Sequence, residues 1–125
     1  MPGITLDAGG LIALDRSDRR LIVLLARAVE RNARVTVPAT ALAQAIRAPE
    51  RQARLARLIR QPSTDVCPLD RVDAVSVGRL LAESRTSDIA DAHVVVCAAR
   101  ARQQVVTSDP DDLQQLDPTI QLVVI

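Results

Sequence analysis

Short apolar runs, each followed by a helical segment, constrain this chain more than any other feature. Gly3 to Asp7, Arg34 to Val37, Asp65 to Leu69, Gln104 to Thr107 and Ile120 to Ile125 read as strands. Between them lie segments with helical periodicity. A short turn begins at Leu11–Leu14, a helix runs over residues 19–31 with Leu21, Leu24, Leu25 and Ala28 on one face, and others cover 40–47 and 50–60. Asp70 caps a helix through Val72, Val75, Leu80 and Leu81, and Asp109 to Leu116 forms a short one. Ser87 and Asp88 open the segment IADAHVVVCAARA, which is apolar on almost every side and is therefore expected to be buried. Strands that alternate with helices need crossover connections, so the pattern predicts an α/β fold with a parallel sheet between helices. Pro68 places the third strand at a sheet edge, because proline cannot donate to a ladder on both sides.

The chain of 125 residues has no repeat, linker or low-complexity segment, so a single domain over 1–125 is expected. No run approaches the ~20 apolar residues a membrane helix needs, and MPGITLDAGG has no basic leader, so a cytoplasmic location is expected. Phe, Tyr and Trp are absent, which rules out base stacking on aromatic rings as a way to hold single-stranded nucleic acid. All 16 basic residues are arginine, so any phosphate contact falls to Arg and backbone groups; the net charge of +1 is no nucleic-acid signature by itself. Cys67 and Cys97 stand apart in apolar surroundings without CxxC spacing, so no zinc site is expected.

In open parallel α/β sheets, sites form beyond the carboxyl ends of the strands, where strand order reverses. The first strand ends in Asp7 and the fourth in Asp109, and the apolar helix between them begins with Asp88 and Asp91, on one face at i, i+3. If those two strands are neighbours, the carboxylates converge. Crowded carboxylates repel one another and are tolerated around a hard divalent cation such as Mg²⁺ or Mn²⁺, the equipment of phosphodiester hydrolysis. Each residue also has a plainer use. Asp7 can cap a helix, Asp88 can answer a helix dipole, Asp109 can make a turn, and Asp111 and Asp112 read as surface acids. Asp91 is the least easily explained away, because it lies within an apolar helix. His93 reads as a packing or polar-network residue, on a different face from Asp91. Ser87, Thr107 and Ser108 can cap helices or bond the carboxylates. Arg54, Arg57 and Arg60 form an arc that is either a solvated face or a contact for phosphates or an acidic partner segment.

Four segments carry a family resemblance. TLDAGGLIAL, VPATALAQAIR, SDIADAHVVVCAA and VVTSDPDDL resemble, in order and spacing, the four motifs of PIN-domain ribonucleases, and among these the VapC toxins of bacterial toxin–antitoxin pairs, actinobacterial ones in particular. The resemblance covers essentially the whole chain. It implies a PIN-like three-layer α/β/α sandwich with a mainly parallel sheet of about five strands. It also implies a Mg²⁺- or Mn²⁺-dependent endoribonuclease, with Asp7, Asp91 and Asp109 as the acidic site and Asp88 as a further metal ligand. A homodimer and a VapB-type antitoxin are the implied partners. One position departs from the pattern: Gln44 stands where the family has Glu, which removes a negative charge but keeps a side chain able to orient water or substrate. Two rival readings follow, a PIN domain that binds RNA without cutting it, and an acidic phosphohydrolase for small substrates. Against the latter, no second aspartate is paired with Asp7 and no glycine-rich phosphate loop is present.

Overall fold

The computed structural model describes residues 3–125; Met1 and Pro2, part of the N-terminal stretch in which no basic leader was expected, lie outside the described residues. The elements run β1 (Ile4–Leu6), α1 (Ala8–Asp15), α2 (Arg19–Glu30), β2 (Val35–Pro38), α3 (Ala39–Ala45), a 3₁₀ turn (Pro49–Arg51), α4 (Ala53–Ile59), β3 (Thr64–Cys67), α5 (Arg71–Ser84), α6 (Ile89–Ala101), β4 (Gln104–Thr107), α7 (Pro110–Leu116) and β5 (Leu122–Val124). The five strands form one sheet in the order β3-β2-β1-β4-β5, and every pairing is parallel. The α/β reading and the strand count therefore hold.

The order fixes where a site can lie. The chain lays down β1, β2 and β3 in one direction, then returns to place β4 on the other side of β1. Strand order reverses between β1 and β4, with Ile4, Thr5 and Leu6 opposite Gln104, Val105 and Val106. The crevice beyond their carboxyl ends is the switch point of the sheet.

Leucine, valine and alanine fill the core: Leu6, Leu11, Leu21, Val37, Val94, Val105, Val106 and Leu113 are all essentially inaccessible to solvent. α6 supplies six buried residues, as its apolar sequence requires. With no aromatic side chain to span gaps, close backbone approach does part of the packing. A Cβ on Gly3 would lie 1.5 Å from the Arg34 carbonyl oxygen that leads into β2, so only glycine fits there.

Several boundaries differ from the sequence reading, each for a local reason. α1 begins at Ala8 rather than Leu11, because the Asp7 carboxylate accepts from the Gly10 N–H at 2.7 Å and caps a helix that contains both glycines. The helix expected over 50–60 splits into a 3₁₀ turn and α4 at Gln52. The Gln52 side chain, almost wholly buried, accepts from the Arg47 and Ala48 N–H groups at 2.9 and 3.1 Å and donates to the Ala45 carbonyl at 2.9 Å. It thereby joins the end of α3 to the start of α4. β3 is indeed an edge strand, but it stops at Cys67, so Pro68 lies just beyond it.

Candidate active site

Asp7 leaves the end of β1 and is nearly buried. One carboxylate oxygen is committed to the Gly10 N–H, and the Thr107 hydroxyl of β4 bonds the same carboxylate. Burial raises its pKa; the Thr107 and Gly10 bonds pull it back down, the neighbouring Asp109 raises it further, and a Gly9 N–H bond lowers it. The Thr107 Oγ1 also accepts from the Asp109 N–H at 2.9 Å. One fully buried hydroxyl thus ties Asp7 to the turn that carries Asp109. Gly10 is needed for this approach, because a Cβ there would meet the Val106 carbonyl at 2.9 Å, whereas one on Gly9 would meet only the movable Ser108 Oγ.

Asp88 and Asp91 come from the start of α6. The Asp88 side chain caps the helix by accepting from the Asp91 N–H at 2.9 Å. Asp91 is half-buried in the first turn, and its pKa is raised to about 7. Burial is the largest cause, followed by the negative charges of Asp88, Asp7, Asp112 and Asp109. The acids that crowd Asp91 come from the end of β1, the start of α6, the end of β4 and α7. Asp109 is exposed, and its pKa is raised chiefly by a hydrogen bond and repulsion from Asp112. A cavity of ≈ 240 Å³ opens beside them, lined by residues that include Ser87, Asp88, Asp91, Asp112 and Gln115.

Asp7, Asp88, Asp91 and Asp109 are therefore brought together. Gln44 is not drawn into their network: it sits on the exposed side of the last turn of α3, a helix packed against α1 and α6. Asp112 is exposed, as a surface acid should be, and it also lines the cavity and shares a hydrogen bond with Asp109. The signal was available, since Asp109 and Asp112 are i, i+3 at a helix start. Of the two roles open to it, Thr107 takes the carboxylate bond rather than a helix cap, and its hydroxyl also holds the turn to Asp109. A donor set made of carboxylate oxygens is what a hard divalent cation takes, and mutual repulsion in its absence fits such an ion.

His93 is completely buried on another face of α6, with Nδ1 2.8 Å from Thr40 Oγ1 and Nε2 3.0 Å from Asp73 Oδ2. Arg100 closes the network on Asp73. The polar-network reading of His93 thus agrees with the geometry. Cys67 and Cys97 correct a different expectation: they are neighbours rather than isolated, and each shifts the other's pKa, with Cys97 beside Asp73 and His93.

An all-parallel open sheet with acids gathered at its switch point defines a class of α/β domain suited to cation-assisted phosphate chemistry. The PIN domain family matches residues 4–117, and the chain belongs to that family. Solved structures with the same fold include FitAB bound to an IR36 DNA fragment, at 14% identity over 97% of this chain and 94% of that one, with a TM-score of 0.65. VapBC2 from Rickettsia felis, bound to a DNA fragment from its promoter, is 11% identical over 98% of both chains, with a TM-score of 0.67. FitAcB from Neisseria gonorrhoeae is 17% identical over 95% of each, with a TM-score of 0.61. A search of curated protein sequences finds no match.

Proposed function

We propose that residues 1–125 act as one VapC-type PIN domain, a divalent-metal-dependent endoribonuclease that cleaves RNA phosphodiester bonds and is held in check by a cognate antitoxin. The observation that carries this reading is the convergence of Asp7, Asp88, Asp91 and Asp109 at the β1/β4 switch point. These four would hold Mg²⁺ or Mn²⁺. When bound, the ion would offset charge on the phosphate and make an attacking water more acidic. The chain's own contribution is placement. The Gly10 N–H and Thr107 hydroxyl fix the Asp7 carboxylate, and the α6 cap sets Asp91 relative to Asp88. Gln44 would present an amide to substrate or water where the family presents a carboxylate.

The partner reading rests on a second surface. Between α2 and α4 runs a groove of ≈ 310 Å³ lined by Ile22, Leu25, Val29 and Leu58, with Arg54 and Arg57 at its edge. Ile22 and Val29, 42% and 66% exposed, leave apolar surface open along this groove. Apolar lining with a basic edge fits an amphipathic segment bearing acidic residues, as an antitoxin tail would be. The solved relatives include two-component assemblies on DNA, which supports a partnered protein. A homodimer is implied by the resemblance. No helix among the described residues is long and apolar enough to cross a membrane, and the reading places the protein in the cytoplasm with its RNA.

The test is cleavage of total cellular RNA by purified, antitoxin-free protein with Mg²⁺ or Mn²⁺, beside Asp7→Asn, an EDTA control and a generic phosphomonoester. Discrete metal-dependent cuts that vanish in the variant are expected. RNA left intact but bound would favour the second reading, a binding-only PIN domain, which the neutral Gln44 motivates. Turnover of the phosphomonoester alone would overturn both.

A further inference from the structure

We propose that Cys67, Asp73, His93 and Cys97 form a second metal site, for a borderline or soft divalent ion such as Zn²⁺, distinct from the acidic cleft. The ligands come from three elements that only the fold brings together: Cys67 ends β3, Asp73 lies in the first turn of α5, and His93 and Cys97 stand at i, i+4 on α6. One donor atom from each of Asp73, His93 and Cys97 lies within 4.8 Å of the others, and all three residues are buried. The Cys67 side chain neighbours Cys97 but lies outside that cluster, and it would close in as the fourth ligand when the ion binds.

Donor chemistry selects the ion. Two sulfurs, one imidazole nitrogen and one carboxylate oxygen form a tetrahedral zinc set, whereas the cleft offers only oxygens. The surroundings supply what such a site needs. Thr40 Oγ1, 2.8 Å from His93 Nδ1, is the outer hydrogen-bond partner that fixes the ring and leaves Nε2 to face the ligand. The hydroxyl can donate to a bare Nδ1 or accept from a protonated one, so it serves the ring both with and without metal. Arg100 beside Asp73 balances the charge: two thiolates and one carboxylate carry −3, and a divalent ion with one guanidinium carries +3.

Without metal the same atoms are satisfied differently. His93 Nε2 bonds Asp73 Oδ2 at 3.0 Å, and both cysteines are free thiols. Binding releases two thiol protons to solvent, and the imidazole proton passes from Nε2 to Nδ1 as the Thr40 hydroxyl turns from donor to acceptor. The net change is one ion gained and two protons lost, with no oxidation. The ion would clip edge strand β3 and α5 onto α6, adding linkage to the outermost strand of the sheet.

The test is titration of chelator-stripped, reduced, full-length protein with Co²⁺, read by absorbance. One Co²⁺ per chain is expected, with a sulfur-to-cobalt charge-transfer band and the intense visible bands of a tetrahedral site, all displaced by Zn²⁺. Cys67→Ser and Cys97→Ser should each weaken the charge-transfer band, and the double variant should abolish it, while all keep their circular dichroism. Thr40→Val should weaken binding about 10–100-fold. Asp91→Asn, which alters only the cleft, should keep the bands. Folded, reduced protein that gives no sulfur-to-cobalt band overturns the proposal, as does a band that is undiminished in Cys97→Ser or survives in the double variant. A chain that closes a Cys67–Cys97 disulfide on oxidation yet binds no Co²⁺ when reduced also overturns it, and marks the pair as redox-active instead. None of these readouts depends on RNA cleavage.

Discussion

Replacing Asp91 by asparagine should make the metal-free protein more stable, although the same change should abolish activity. In the unfolded chain this carboxyl ionises near its ordinary value of 3.8, while in the folded chain burial and four neighbouring acids hold its pKa at about 7. The native state therefore keeps a proton that the unfolded state has lost. Stability of the metal-free fold falls as pH rises from about 4 to about 7 and then levels off. At ~1.4 kcal/mol per pH unit the full displacement corresponds to about 4 kcal/mol. The side chain is only half-buried, so solvent screening reduces this to roughly 1–2 kcal/mol. The asparagine side chain would carry no charge in either state and escape the penalty. The assay is urea unfolding in EDTA at pH 5, 6, 7 and 8, followed by far-ultraviolet circular dichroism, since a chain without aromatic residues has no intrinsic fluorescence to follow. The variant's advantage should be largest at pH 8 and shrink toward pH 5. Saturating Mg²⁺ should stabilise wild type more than the variant and narrow the gap. A variant less stable than wild type at pH 8 in EDTA, or an advantage that does not change with pH, would refute the repulsion argument.

Other substitutions separate packing from chemistry. Asp7→Ala should lose cleavage and about 1 kcal/mol of stability, because it removes the α1 cap, whereas Asp7→Asn should lose cleavage and keep most of the stability; RNA assays beside thermal melts distinguish them. Asp73→Ala leaves His93 and Arg100 without their shared partner and should cost about 3–5 kcal/mol in chemical unfolding. Gly3→Ala drives a methyl group into the Arg34 carbonyl and should cost about 3 kcal/mol or yield insoluble protein, as solubility and melting temperature would show. Gln44→Glu adds a charge where the family carries one and should tighten Mg²⁺ binding by calorimetry; unchanged affinity would separate Gln44 from the metal-binding cleft.

Period and turn chemistry made most of the fold legible. All five strands were read, and α6 was marked as buried by its composition alone. The fate of Gln52 was hidden, because a glutamine among arginines and alanines looks like surface until its three backbone partners are seen. Asp7, Asp88, Asp91 and Asp109 were legible because each sits at the end or start of an element where chemistry concentrates. For Asp112 the i, i+3 spacing from Asp109 was in view but did not decide its role, because an acid on an open surface and one lining a cleft share that spacing. The nearness of Cys67 to Cys97 lies beyond local reading: the two are far apart in the chain, and only the pairing of β3 with β2, on which α6 packs, brings them close. The single clue was His93 and Cys97 one helical turn apart.

α6 carries acids for the cleft on one side and the His93–Cys97 pair on another. At 3.6 residues per turn, one residue inserted or deleted between Asp91 and Cys97 turns everything beyond it by about 100°. Such a change would spoil either the cleft or the buried network, whichever end of the helix stayed in place. Homologues and engineered variants should therefore tolerate substitution along this helix but not a change in its length, and insertions should collect in the connections after α2, α4 and α7.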